Sequence, residues 1–257
     1  MAQMMVNFYS HTLGHGVDIA VTIPSLSSCD GKDGQPVSHK VEHKYPVLYM
    51  LHGHGNDYRC WLRYTGVERL AEEQRMAIVT FNSENKAYNN CAGDDRYEDF
   101  LAYELPEFIT SMFPVSDRPE DTYIAGLSMG GYGTLAHAFK YPHRYCAYGA
   151  MSPAPSLRKR PHFAGLDFDP IEPIEEAAAR IREGVKLPKG YICCGRQDFL
   201  YESVCKFVEE LKALGEDFEW RDVDGFEHEW RFWDLELPRF FAWLPRTDYY
   251  ADKPHKI

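Results

Sequence analysis

Apolar runs of strand length alternate along this chain with longer segments of helical period, and this alternation is what most limits the folds open to it. The run at 45–51 (YPVLYML) is apolar at nearly every position, so it must be covered on both faces; a strand with one wet face would alternate with polar residues. Residues 77–81 (AIVTF), 122–125, 145–151 and 189–194 read the same way. Between them, 61–70, 97–113, 130–140, 174–181 and 199–211 carry helical spacing. Strand-helix repetition of this kind predicts an α/β protein with a central, mostly parallel sheet flanked by helices. The first two strands, 5–10 and 17–23, are separated only by a short turn containing LGHG and are expected to form an antiparallel edge. The polar run 29–35 (CDGKDGQ) is expected to be a surface turn.

No Pro/Ser-rich or single-charge linker divides the 257 residues, so the expectation is one domain spanning 1–257. Residues 153–188, with four prolines before Glu172, read as a short insertion or cap over one sheet edge, ahead of the strand at 189–194. The plainer alternative is a crossover helix with a long lead-in.

Charge and cysteine usage narrow the partners. With 28 basic and 39 acidic residues the formal charge is −11, which disfavours nucleic acid and anionic lipid. The first sixteen residues hold neither a basic region nor an apolar run, and no window approaches about 18 uninterrupted apolar residues. Neither export nor a membrane span is expected. The seven cysteines are odd in number and lack CxxC or zinc-like spacing, which fits a reduced, cytoplasmic setting without a structural metal. Cys193 and Cys194, adjacent in a strand, should point to opposite faces as packing residues.

The sequence GLSMG at 126–130 matches Gly-x-Ser-x-Gly and lies between a strand and a helix. From 19 Gly and 12 Ser, chance supplies roughly 0.06 such matches in a chain this long, before that context is required. In this motif a sharp turn lifts a serine hydroxyl above the sheet, and flanking glycines let strand and helix approach. Ser128 is therefore the candidate nucleophile. A serine hydroxyl needs a base, and the base an orienting acid, in the order Ser, Asp or Glu, His. Of the later histidines, His137 and His143 fall in or just after the elbow helix, His162 in the insertion and His255 in a polar tail. His228, in GFEHEW after the strand-like FEWRDV, is the candidate base. Asp198, directly after the strand at 189–194, is the favoured acid because α/β sites form at the carboxyl ends of strands; Asp222, Asp224 and Glu227 are its rivals.

The loop His52-Gly53-His54-Gly55 follows another strand. In this architecture such a loop supplies one backbone N–H of an oxyanion hole, and the residue after the nucleophile supplies the second, which designates His54 and Met129. His52, Gly53, Trp61 and Trp230 are expected to contact substrate. The HxH pair lacks a third nearby ligand, so no metal site is expected.

Together LHGHGND, GLSMGGYG, GRQD and GFEHEW resemble the esterase D-type branch of the α/β-hydrolases, most closely the bacterial tributyrin esterases, over nearly the whole chain. The resemblance implies an α/β-hydrolase fold, hydrolysis of carboxylic esters by a serine triad matching Ser128, Asp198 and His228, and no cofactor. S-formylglutathione hydrolases of the same branch usually carry an SGLTC-like loop and a GHSMGG elbow, where this chain has HGHGND and GLSMGG. Mycolyl transferases of the branch are exported. The expected function is hydrolysis of small-molecule, short-chain acyl esters through an acyl-enzyme. The alternatives are an S-formylglutathione hydrolase-like thioesterase and a catalytically silent binding protein on the same fold. The sequence leaves a homo-oligomer open.

Overall fold

The computed structural model describes all residues except 33, 35, 159 and 160, and omits the side chain of His162. Parts of the turn at 29–35 and of the segment at 153–188 thus lie outside the described residues. Strands β1 (Ala2–Ser10) and β2 (His15–Ile23) pair antiparallel as expected, and β2 joins β4 (Ala77–Phe81) antiparallel. The rest is parallel: β3 (Val47–Leu51), β5 (Thr122–Leu127), β6 (Ala147–Met151), β7 (Lys189–Gly195) and β8 (Phe218–Val223) complete an eight-stranded sheet of order β1-β2-β4-β3-β5-β6-β7-β8.

Strand pleating sorts the core into two layers. Val47, Tyr49, Leu51, Ile124, Ile192 and Cys194 point into one, while Leu48, Met50, Tyr123, Ala125, Tyr191 and Cys193 point into the other. The adjacent cysteines therefore do face opposite sides, both buried as free thiols. One layer is closed by helices α1 (Cys60–Tyr64), α2 (Val67–Glu73) and α8 (Trp230–Trp243). The other is closed by the helical segment from α3 (Tyr97–Asp99) through a π-helical turn to α4 (Leu105–Met112), then α5 (Met129–Lys140), α6 (Pro173–Arg182) and α7 (Tyr201–Ala213).

Two expectations need correction. The helix at 61–70 is two short helices, divided where Gly66 and the extended Thr65 interrupt it. Helix α6 does not lie over a sheet edge: it packs against α5 and α7, between the interior strands β6 and β7 that it connects. Helix α8 had no counterpart in the sequence reading, because Pro238 interrupts its period. Among the described residues no helix is long and apolar enough to cross a membrane.

Helix α5 is buried almost throughout, and His137 within it is fully buried, with Nε2 bonded to the Tyr88 carbonyl oxygen at 2.9 Å and Nδ1 without a partner among the described residues. Burial disfavours its charged form and pushes the imidazole down to about 4. Because the unfolded chain then binds the extra proton, His137 adds stability that is complete above pH ~6.5 and lost as pH falls through that window toward about 4. His137→Gln keeps a donor for Tyr88 but cannot be protonated. Denaturant unfolding of the two proteins at pH 7 and pH 4.5 is expected to show the variant losing less stability on acidification, by up to about 3 kcal/mol; equal losses would contradict this.

Candidate active site

The sharpest local feature is the elbow at Ser128, whose φ of 55° and ψ of −115° are a conformation that residues with a side chain rarely adopt. Surrounding contacts hold it there. The Ser128 N–H donates to the Met151 carbonyl at 3.0 Å, and its own carbonyl accepts from Tyr132 at 3.0 Å and Ala154 at 3.1 Å. The flanking glycines are sterically obligatory: a Cβ on Gly126 would stand 2.4 Å from the Gly130 carbonyl oxygen, and one on Gly130 would stand 2.3 Å from the Leu51 carbonyl oxygen. The turn thus wedges the start of α5 against the end of β3, where the HGHG loop begins.

That loop is fixed by His52. The Ser83 backbone N–H donates to His52 Nε2 at 3.0 Å, so Nε2 is unprotonated and Nδ1–H donates to the Gly53 carbonyl at 2.8 Å. Burial favours this neutral form. Tyr88 Oη donates to the His52 carbonyl at 2.8 Å, and Asn85 Oδ1 accepts from Gly55 N–H at 2.7 Å.

Across the cleft, His228 Nδ1 lies 2.7 Å from Asp198 Oδ2, and Asp198 Oδ1 accepts the Leu200 N–H at 2.8 Å. Burial works to raise the Asp198 carboxyl, but the hydrogen bond and charge of His228 and the Leu200 N–H outweigh it and hold the group below the ordinary carboxylate value. Two of the three rivals are engaged elsewhere: Asp222 bonds Arg196 and Tyr201, both at 2.9 Å, and Asp224 accepts from Gln197 at 2.7 Å. The Glu227 backbone N–H is 3.5 Å from Glu229 Oε1. Trp233 meets the His228 ring edge-to-face at 5.0 Å, and the exposed Phe199 packs on it at 4.7 Å.

Ser128 and His228 open onto one cavity of about 240 Å³, lined also by Gly53, His54, Asn56, Leu127, Trp230 and Trp233. Met129, the first residue of α5, has its N–H in the turn that has no intrahelical acceptor. Two expected substrate contacts are corrected. The His52 imidazole is buried and committed to Ser83 and Gly53, and Trp61 is fully buried behind Trp230 with its indole N–H donated to the Leu51 carbonyl at 3.0 Å. Asn56, Leu127 and Trp233 were missed; the WxxW spacing of Trp230 and Trp233, one helical turn, was a signal that could have found the last. His255 is no free tail residue either, since it is buried with Nδ1 2.7 Å from Glu72 and Nε2 3.0 Å from Asp30. Phe163, from the segment after β6, meets the His54 ring edge-to-face at 5.5 Å. Among the described residues no cluster of three or more His, Cys, Asp or Glu side chains could hold a metal ion.

Residues 34–244 match the family described as "Putative esterase". The chain belongs to the esterase family. The esterase is 28% identical to an acetyl esterase of Caldicellulosiruptor saccharolyticus, over 96% of this chain and 99% of that protein. Its structure superposes with a TM-score of 0.83 on the substrate-bound fluorophosphonate-binding serine hydrolase F of Staphylococcus aureus, at 25% identity over 96% of this chain and 99% of the other. It also superposes, at 0.80, on an S-formylglutathione hydrolase of the same organism, at 26% identity over 95% and 98%. The fold is that of the α/β-hydrolases, in an esterase D-like branch, and the enzyme is a serine carboxylester hydrolase.

Because Gly130 has no room for a side chain, Gly130→Ala must displace either α5 or β3. The substitution is expected to cost about 3 kcal/mol, lowering the midpoint of thermal unfolding by roughly 6–12 °C for a chain of this size. An unchanged midpoint would show that the elbow is looser than this packing.

Proposed function

We propose that Ser128, His228 and Asp198 form the catalytic triad of this esterase, and that the backbone N–H groups of His54 and Met129 form its oxyanion hole. The observation that carries the reading is the 2.7 Å contact between His228 Nδ1 and Asp198, with the imidazole and the strained Ser128 lining the same cavity. Ser128 Oγ attacks the ester carbonyl while His228 Nε2 takes its proton. The two N–H groups hold the negative charge on the carbonyl oxygen, and His228 returns the proton to the departing alcohol. Water, deprotonated by His228, then releases the carboxylic acid from the acyl-enzyme and regenerates Ser128. Asp198 keeps the imidazole in the Nδ1–H tautomer and balances its transient charge.

We further propose short-chain acyl esters as substrates, as in the tributyrin-esterase group. The small cavity with two tryptophan walls supports this, as does the likeness to an acetyl esterase. The matching S-formylglutathione hydrolase keeps a thioester reading in play. The proposal treats 1–257 as one domain, and the seven free cysteines fit a reducing compartment such as the cytoplasm.

Ser128→Ala is expected to lower kcat by roughly 10⁴-fold or more and to abolish labelling by a fluorophosphonate probe, with the fold retained. Near-native turnover by the folded variant would overturn the mechanism. Asp198→Asn is expected to lower kcat by up to about 10⁴-fold, and Asp222→Asn, Asp224→Asn and Glu227→Gln far less; the reverse order would move the acid. On substrate, kcat/KM for p-nitrophenyl acetate and butyrate should exceed that for the laurate and for S-formylglutathione, and Trp230→Ala should raise the laurate value relative to acetate. A wild-type preference for laurate would remove the short-chain reading, and one for S-formylglutathione would favour the thioesterase.

A further inference from the structure

A second cavity, of about 370 Å³, opens at the end of the sheet opposite the catalytic cleft. The cleft lies at the carboxyl ends of β3 and β5, whereas this cavity is lined by Thr122, the first residue of β5, and by Arg144 and Tyr145, which precede β6. Helix α5 runs from one end to the other: it starts beside Ser128, stops at Lys140 just before Arg144, and its 12 residues span roughly 18 Å. The facing wall is Tyr103, from the π-helical turn Phe100–Glu104, with the first turn of α4. π-Helical turns are rare in proteins and recur at functional sites.

Three hydrogen-bond donors line this cavity without a protein partner. Tyr49 is 1% exposed and Tyr145 6%, so both are more than nine-tenths buried. Among the described residues neither hydroxyl has a hydrogen-bond partner, and neither is sealed in by protein, so each faces the cavity that it lines. Burial pushes both phenols well above their ordinary value, against the pull of the Arg144 charge, so each keeps its proton and can donate it. The third group is the Arg144 guanidinium. It stacks over the Tyr103 ring at 4.7 Å, its Nε is buried without a partner, and among the described residues no carboxylate pairs with it. Arg246 and Arg221, by contrast, are paired with Asp248 at 2.7 Å and with Glu236 at 2.9 Å.

We propose that this cavity is a binding site for a small monocarboxylate, held by the Arg144 guanidinium and the hydroxyls of Tyr49 and Tyr145. A planar guanidinium presents parallel N–H groups that match the two oxygens of a carboxylate, and the phenol O–H groups supply donors for the remaining lone pairs. Charge favours a monoanion over phosphate. Arg144 is the one fixed cation of the lining, whose other titratable groups outside the tyrosines are the exposed His143, Glu107 and Asp117, and the two carboxylates would repel a second negative charge. Tyr103, Pro106 and Pro119 give apolar surface to the body of the ligand, and the volume suits a single ring or a short chain. No group of the catalytic cleft contributes, so the inference does not depend on the triad.

Isothermal titration of the full chain with sodium benzoate tests this. The wild-type protein is expected to bind benzoate with a Kd of about 1 mM or tighter, and benzamide, which has the same shape without the charge, at least about tenfold more weakly. Arg144→Gln is expected to weaken benzoate binding by about a hundredfold, and Tyr49→Phe and Tyr145→Phe, which keep the rings, by about tenfold each. Trp230→Ala, in the catalytic cleft, should leave the affinity unchanged. Binding that survives Arg144→Gln, or that is lost in Trp230→Ala, would put the benzoate elsewhere and overturn the proposal. Equal affinity for benzamide, tighter binding of inorganic phosphate, or no binding of benzoate would overturn it as well. Should Arg144→Gln fail to fold, the two phenylalanine variants decide, and unchanged affinity in both would count against the site in the same way.

Discussion

The approach of bare backbone to bare backbone at Gly126 and Gly130 is the constraint on which the site depends. It lets β5 turn into α5 within two residues, and by bringing Gly130 against Leu51 it fixes the elbow relative to β3 and the HGHG loop. The proposed mechanism draws Ser128 and the His54 N–H from the ends of different strands, and such a pair is useful only if its separation is set to within a fraction of an ångström. Here that distance is set by van der Waals contact between main chains, which has no rotamers to relax through. Every other polar group at the site is then placed relative to this contact: the HGHG loop by His52, Asn85 and Tyr88, and the imidazole by Asp198.

Two histidines at the cleft have opposite wiring, and the difference is decided by what faces each ring. His52 receives a backbone N–H on Nε2 and gives its own proton to a carbonyl, so burial leaves it a neutral strut. His228 has a carboxylate on Nδ1, and its ring borders an open cavity together with Ser128. A ring that must change charge needs a partner that gains from the change; a ring that must hold a loop needs partners that lose by it.

The parallel sheet, the antiparallel edge, the elbow and the pairing of Asp198 with His228 were legible in the sequence, because each rests on a local pattern: continuous apolar runs, a Gly-x-Ser-x-Gly turn, a carboxylate at a strand end. What was not legible depends on contacts distant in sequence. Trp61 looked like a cleft residue since it follows the HGHG loop by only a few positions, but the helix carrying it turns its indole inward to the Leu51 carbonyl. His255 looked like tail because its neighbours are polar, and only the fold brings it between Glu72 and Asp30. Helix α8, with Pro238 in its middle, is stabilised by the sheet face it covers rather than by its own propensity.

Strain is distributed in a way that explains the size of the scaffold. Among the described residues seven without a glycine's freedom have positive φ: Ser128 lines the cavity, Ser152 bonds its tryptophan wall Trp233, and Glu84, Asn85, Ala87 and Tyr88 lie in the segment that holds the HGHG loop. At about 1–3 kcal/mol each, their combined cost is of the same order as the whole net stability of a typical domain. Such a loop cannot be maintained by its own hydrogen bonds. Tyr88 shows how the cost is met: its strained backbone is fully buried, its ring packs against Phe81 of β4, and its hydroxyl reaches the His52 carbonyl. The apolar layer on that side of the sheet therefore does more than hold the fold together; it supplies the cohesion that keeps a distorted polar rim from relaxing, and it must be large because the distortion is.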